Sequence, residues 1–194
     1  MFNKKSFSKQ RICQKISQAK AMNVFGDEIL KVVQPSFVHI PTCLSEPLVN
    51  KTPYFVCICG VYTKRPGNGG CACIITKEEK VCTKLSEFLP NTTNNEADLA
   101  AVVKALSWFT GSTNVTVYTN SRYVLMGTGE WLSRWKRDGW KNSSKKTVAN
   151  VELWKELDSL CQRHCVEFEW IHSYHPLVED SRKLARSGLD SHLS

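Results

Sequence analysis

From Tyr54 onward the chain alternates between short runs of β-branched and aromatic residues and longer stretches with helical spacing. Y-F-V-C-I-C-G-V-Y-T, starting at Tyr54, reads as a strand by that content. A K-R-P-G-N-G-G turn follows, in which Pro66, Gly67, Gly69 and Gly70 supply the unusual dihedrals. C-A-C-I-I-T is a second strand, and E-E-K-V-C-T-K-L-S-E-F-L a third after a charged turn. Three such runs in succession make an antiparallel meander. N-N-E-A-D-L-A-A-V-V-K-A-L-S-W-F places Leu99, Val102, Val103 and Leu106 on one helical face. N-V-T-V-Y-T is a fourth strand, followed by two short helices around Gly127 and Gly129 and a basic loop, D-G-W-K-N-S-S-K-K. N-V-E-L-W-K-E-L-D-S-L-C is a helix, and C-V-E-F-E-W-I alternates as a fifth strand. A last helix begins at Pro176 and is expected to stop at Gly188. Three strands, a helix, a strand, a run of helices, a strand and a closing helix predict an α/β fold, a mixed five-stranded sheet with helices on its faces.

The first fifty residues are organised differently. Residues 1–50 read as a basic N-terminal tail and a linker punctuated by Pro35, Pro41 and Pro47, and residues 51–194 as the folded domain. The tail carries seven cations and three anions, about half of the net charge of +8. Its first acid is Asp27. An acid-free, Ser-containing start fits a mitochondrial presequence. It equally fits a solvated tail that helps hold nucleic acid or carries a nuclear address. The expected location is therefore intracellular, nuclear or cytoplasmic, with a mitochondrial alternative. The apolar spacing from Val24 to Val33 suits a helix that docks on a protein partner. No apolar run reaches membrane-spanning length, and no membrane partner is expected.

The charge of +8 favours an anionic partner, nucleic acid before acidic membrane. Nine cysteines are present without a C-x-x-C pair. Cys57/Cys59 and Cys71/Cys73 are C-x-C pairs in apolar strands, so each pair shares one face. Four converging zinc ligands are not suggested, and His172 and His175 have no cysteine placed beside them by sequence. Reduced, core-filling thiols are the expectation, with no metal and no cofactor.

Residues 118–141 concentrate aromatics and cations: Tyr123, Trp131, Trp135 and Trp140 interleave with Arg122, Arg134, Lys136, Arg137 and Lys141. That pattern suits a nucleic-acid backbone, cations for phosphates and rings for sugars or bases. An amphipathic helix with its aromatic stripe in the core gives the same pattern.

Several landmarks in order resemble the type 1 ribonuclease H family: a strand ending C-G, a P-G-x-G-G turn, T-N-N-x-x-[acid]-L-x-A-A, Y-T-x-S-x-Y-V, W-x-x-x-W-K-x-x-G-W-K, N-V-x-L-W, and W-I before a closing L-A-R helix. The resemblance runs from about Tyr54 to Leu189. It implies a ribonuclease H-like fold, three antiparallel strands then two parallel, with helices on both faces. It also implies cleavage of the RNA strand of RNA–DNA hybrids by two magnesium ions held by four carboxylates. At those four positions this chain has Cys59, Asp98, Asn120 and Arg182. The loop of the family's catalytic histidine is shortened to S-Y-H-P, with Tyr174 near that place. A thiolate is too soft for magnesium, Asn120 adds no charge, and Arg182 puts a cation where a cation is bound. Glu96 points elsewhere on its helix, whereas Glu179, one turn before Arg182, reaches the same face. An Asp98–Arg182 ion pair is expected inside the former metal site.

The resemblance keeps more of the binding side. Thr93 and Asn150 match a phosphate pocket whose Arg is replaced by Asn91. Asn94 and Asn95 match the run that reads 2′-hydroxyls. Tyr123, Trp131 and Trp135 match the DNA-strand channel, and Lys136, Arg137, Trp140 and Lys141 the basic handle. Thr93 and Asn94 also suit a helix cap. The resulting expectation is a catalytically inactive member that binds RNA–DNA hybrid or double-stranded RNA without cutting it. One alternative is a pseudo-enzyme scaffold for protein partners in a ribonucleoprotein or chromatin-associated complex, docking through residues 1–50. The other is a residual metal-dependent nuclease using Asp98 and Glu179.

Overall fold

The computed structural model describes residues 38–39, 52–63 and 67–192. All of them belong to the unit Val33–Ser194. The expectations for the basic tail and for a docking helix at Val24–Val33 lie outside the described residues.

Strands β1 (Val38–His39), β2 (Tyr54–Tyr62), β3 (Gly69–Lys77), β4 (Lys80–Leu89), β5 (Asn114–Thr119) and β6 (Cys165–Trp170) form one sheet in the order β1-β6-β5-β2-β3-β4. The meander is antiparallel throughout, with Cys59 opposite Ala72 and Gly70 opposite Phe88. β2 and β5 pair in parallel, as do β5 and β6. The five expected strands are all present in the expected order. β1 adds a sixth of two residues, antiparallel to β6, within the stretch read as linker.

Helix α1 (Asn94–Ser107) packs on β2 and β3 from one side, with α4 (Val151–Arg163) against it. Helix α5 (Pro176–Asp190) packs on β2, β3 and β4. Side chains alternate along the strands, so the two layers of core follow from the sequence period. Val56 and Ile58 of β2 join Leu99, Val102 and Leu106 of α1, while Cys59 faces Ala185 and Leu189 of α5. Each fully buried Leu or Val here stabilises the fold by about 1.5–3 kcal/mol. The C-x-C pairs split between these layers. Cys71 and Cys73 lie in the α1 core, whereas Cys57 and Cys59 face α5 and the loop before it. All four are free thiols, and burial pushes those of Cys57, Cys71 and Cys73 up to about 12.

Two details depart from the periodicity. Helix α5 runs past Gly188 to Asp190. Gly188 is a spacer between helix and strand rather than a stop: a Cβ there would lie 3.3 Å from the Ser86 side chain of β4. The two short helices are one continuous run, α2 (Arg122–Met126), a π turn (Gly127–Trp131) and α3 (Leu132–Arg137). Leu132 N–H reaches back to the Gly127 carbonyl, five residues away. The Thr128 hydroxyl donates to the Val124 and Leu125 carbonyls at 2.9 and 3.2 Å, tying the wider turn back to α2. Gly127 is required by packing, since a Cβ would lie 2.0 Å from the buried Trp154 ring. Gly127→Ala should therefore destabilise the fold by about 1–3 kcal/mol in chemical denaturation, with little change in the denaturant slope.

His164, after α4, is only 1% exposed and stands edge-on to Phe109. Neither ring nitrogen has a well-directed hydrogen bond. Burial, with Arg163 nearby, holds its pKa below the ordinary histidine value. The folded chain therefore binds fewer protons here than the unfolded chain, and this site costs stability as pH falls below about 6.5. Wild type should lose more urea stability between pH 7 and pH 5 than His164→Leu; parallel losses would show that His164 is not responsible.

Candidate active site and nucleic-acid interface

The site forms where β2 crosses the first turns of α1. Gly60 is the contact point: a Cβ there would meet the Asp98 backbone nitrogen at 2.5 Å and Asp98 Oδ1 at 2.8 Å. With glycine, its N–H donates to Asp98 Oδ1 at 2.8 Å. Asn94 Nδ2 donates to Oδ2 at 3.4 Å, and the Ser121 side chain bonds the same carboxylate. Asp98 is buried, and burial raises its pKa from 3.8 to about 6 against the pull of Gly60 and Ser121.

The residues around it differ in charge from a carboxylate cluster. The Cys59 thiol is buried, and burial pushes it up to about 11, so it stays protonated at neutral pH. The charges acting on it are those of Asp98, Arg182, Glu179 and Arg186, two of each sign. Asn120 follows directly on β5 and is half-buried. The expected Asp98–Arg182 pair is corrected. Arg182 Nη1 pairs with Glu179 one turn earlier, and Nη2 donates to the Ser173 carbonyl at 3.3 Å. The helix supplies a closer partner at i−3 than the buried carboxylate on the neighbouring element. Glu179 is thereby engaged as well. Tyr174 lies at the surface, stacked on His172.

These side chains do not fit a pair of magnesium ions. Magnesium takes several hard oxygen ligands. Here one carboxylate is already hydrogen-bonded, a neutral thiol is beside it, and a guanidinium stands at the fourth position. Among the described residues no group of three or more His, Cys, Asp or Glu is arranged to hold a metal.

The expected binding residues fall into two groups. Thr93, Asn94 and Asn95 are exposed at the start of α1, where the Thr93 hydroxyl also caps the helix by accepting from Glu96 N at 3.3 Å. Asn91 has φ 49° and its N–H donates to Asn68 Oδ1 at 3.3 Å. The second group centres on a hydroxyl. Tyr123 Oη accepts from Trp154 Nε1 at 2.8 Å and from Asn150 Nδ2 at 3.3 Å, and donates to the Ala149 carbonyl at 3.3 Å. Around it Tyr123, Trp131, Trp135 and Trp154 pack with successive ring centroids 5.3–6.2 Å apart. Trp131 and Trp135 are half-buried, so the cluster is both core and surface. The core reading of the aromatic stripe accounts for the inner edges of these rings, and their outer edges stay exposed. Trp154, fully buried, is the member of the cluster that sequence reasoning left out; its signal was the N-V-E-L-W helix, where it occupies the inward position.

The handle is stiffened by backbone. Trp140 adopts φ 62°, donates its N–H to the Trp135 carbonyl at 2.6 Å and accepts from Val148 N at 3.0 Å. Lys141 bridges Thr147 across the loop. Its cations are not equivalent. Lys136 pairs with Asp158 at 2.8 Å, and Arg137 stands 3.8 Å from Asp138. Lys141, Lys145 and Lys146 are exposed, and no ion pair to them is found among the described residues.

The RNase H family model matches residues 54–189. The ribonuclease H of Wolbachia sp. subsp. Drosophila simulans (strain wRi) is 40% identical over 132 residues, which span 67% of this chain and 90% of that protein. The ribonuclease H of Rhodopseudomonas palustris (strain TIE-1) is 38% identical over 142 residues, 72% of this chain and 91% of the relative. Among solved structures, LC9-RNase H1, a type 1 RNase H with the type 2 active-site motif, superposes with a TM-score of 0.62 at 23% identity. It covers 76% of this chain and 75% of that one. LC11-RNase H1 in complex with RNA/DNA hybrid gives 0.56 at 20% identity, covering 73% and 99%. The fold is therefore ribonuclease H-like. The expectation of a pseudo-enzyme that binds without cutting, and with it the scaffold alternative, is overturned: relatives at this identity, matched over nine-tenths of their length, carry the name of the enzyme.

Asp98 makes a stability prediction with a defined sign. Its raised pKa means that the folded chain holds an extra proton between the ordinary carboxylate value and about 6. Its contribution is present at low pH and lost as pH rises through that window. Asp98→Asn should be more stable than wild type above about pH 6, by at most about 3 kcal/mol, since each tenfold change in proton affinity is worth roughly 1.4 kcal/mol. The gap should close below about pH 4, as measured by denaturation of both proteins across pH.

Proposed function

The chain belongs to the ribonuclease H family, and on that premise we propose that it acts as a ribonuclease H, with RNA–DNA hybrid as its substrate and the RNA strand as the strand attacked. The observation that carries this is the 40% identity to a ribonuclease H over 90% of that protein's length. The hybrid complex of the structurally similar LC11-RNase H1 supports the choice of substrate.

On this reading the exposed start of α1 meets the RNA strand. The Asn94 and Asn95 side chains can donate to and accept from 2′-hydroxyls, which distinguish RNA from DNA. The Tyr123–Trp131–Trp135 edge receives the other strand by ring contact. Thr93 and Asn150 offer a hydroxyl and an amide to a phosphate. Lys141, Lys145 and Lys146 neutralise the backbone beyond it. The family supplies its hydrolytic chemistry through magnesium, for which the ligand set here is unsuited, so no chemical step is assigned to an ion. The buried Asp98 carboxylate accepts from Asn94, one of the residues placed on the RNA strand.

A 5′-labelled RNA strand annealed to DNA should be cut while the same RNA alone stays intact, assayed with magnesium, with manganese and with no added metal. Intact hybrid in both metals, with binding preserved, would sink the assignment of cleavage. The grip is tested separately by salt dependence. Charge reversal at Lys136 or Arg137 disturbs Asp158 and Asp138 as well as any phosphate contact, so the exposed lysines give the cleaner readout. Lys141→Glu with Lys145→Glu and Lys146→Glu should weaken hybrid binding and reduce the slope of log K against log salt by roughly 1 per lost contact. An unchanged slope would remove the handle from the interface.

A further inference from the structure

Beyond β6 the chain builds a small aromatic ladder outside the Tyr123 cluster. Trp170 stands edge-on to His172, with centroids 6.4 Å apart. His172 lies nearly parallel to Tyr174, 5.2 Å away at 17°. Tyr174 is 68% exposed, more than any other large hydrophobic side chain among the described residues.

The loop that carries this ring is braced at several points. Ile171 N–H bonds the Thr119 carbonyl at 3.0 Å, tying it to the end of β5 beside Asn120. His175 N–H closes the turn onto the His172 carbonyl at 2.9 Å. His175 Nδ1 then accepts from Leu177 N at 3.2 Å and caps α5. Arg182 fixes the Ser173 carbonyl, one residue from the ring. A large flat ring is thus held outward on a supported loop, at the rim of the candidate site, with a guanidinium alongside.

We propose that Tyr174, backed by His172, is a stacking platform for an unpaired nucleobase of a strand that leaves the hybrid next to the site. The proposal rests on the reading that the chain engages hybrid. A base inside a duplex has both faces covered by its neighbours, so the ring takes an unpaired base more fully than a duplex end, where only the terminal pair has an open face. Stacking on an aromatic face tolerates any base, which suits a protein that grips backbone rather than sequence. The exposed Lys183 and Arg186 on α5 favour the phosphates that accompany such a base over an uncharged ligand. The preferred substrate is then a hybrid joined to a single-stranded extension.

Fluorescence anisotropy with the full chain tests this on a blunt hybrid, on the same hybrid with a short DNA overhang at each end in turn, and on the free single-stranded oligonucleotide. One overhang should tighten binding by about tenfold over the blunt duplex, the order expected for one stacked base. Tyr174→Ala should bring that ratio to one, and Tyr174→Phe should keep it. A ratio near one in wild type, or one that Tyr174→Ala leaves in place, overturns the platform. If the blunt hybrid is not bound at all, the function proposed above fails instead. The platform is then judged on the single strand, where Tyr174→Ala must weaken binding about tenfold and an unchanged affinity overturns it.

Discussion

The site depends on one close approach, that of helix α1 to strand β2 at Gly60. No other residue type leaves room there for the Asp98 backbone, and the approach is what places a backbone N–H on a carboxylate oxygen. The consequence is electrostatic as well as steric. A carboxyl group pressed against the sheet loses water, and two or three hydrogen bonds do not fully replace it. Asp98 therefore sits in the pH range where its charge is adjustable, at the end of the strand pair β2–β5 where open α/β sheets commonly place their chemistry. Cys59 beside it is a neutral thiol, and the Arg182 cation that also acts on that thiol has its own charge matched by Glu179.

The second organising contact is the Tyr123 hydroxyl. It joins α2 to α4 and to the two residues before it through three hydrogen bonds, one of them to Trp154 of the helix itself, and sits within rings that continue into the hydrophobic core. A surface built this way is rigid because it is the outer edge of packed material. The proposed nucleic-acid contacts at Trp131 and Trp135 and the stability of the α2–α3 run are therefore not separable. Substituting either tryptophan changes both.

Much of the fold is legible because its strands are apolar on both faces or cleanly alternating. The runs at Tyr54 and Cys71 are buried between helices, and the period of two puts each C-x-C pair on one face; the register of Cys59 with Ala72 then sets the two pairs on opposite layers. Gly188 misleads because helix stops and helix spacers use the same residue; only the position of Ser86 on another strand tells them apart. The Arg182 pairing misleads because a contact across the site competes with a neighbour at i−3, and the neighbour wins. His164 gives no signal, since burial of a lone histidine is decided by how the α1 and α4 ends pack. Function is the larger error. Reading Cys59, Asn120 and Arg182 one position at a time leads to an inactive protein, whereas similarity across the whole domain joins the chain to proteins named as the enzyme. Four positions weigh heavily on ligand chemistry and little on the rest of the molecule, so the two kinds of reading answer different questions.

The π turn at Gly127–Trp131 sets an angular phase. An α-helix advances about 100° per residue, so one extra residue in a turn rotates everything after it by about that amount relative to uninterrupted winding. Trp135, Lys136 and the whole handle lie after the turn. Their facing is thus fixed by chain length at one place as much as by their own identities. A one-residue deletion between Gly127 and Trp131 that preserved helicity would leave every aromatic and cation of the handle in the sequence and point them to a different side.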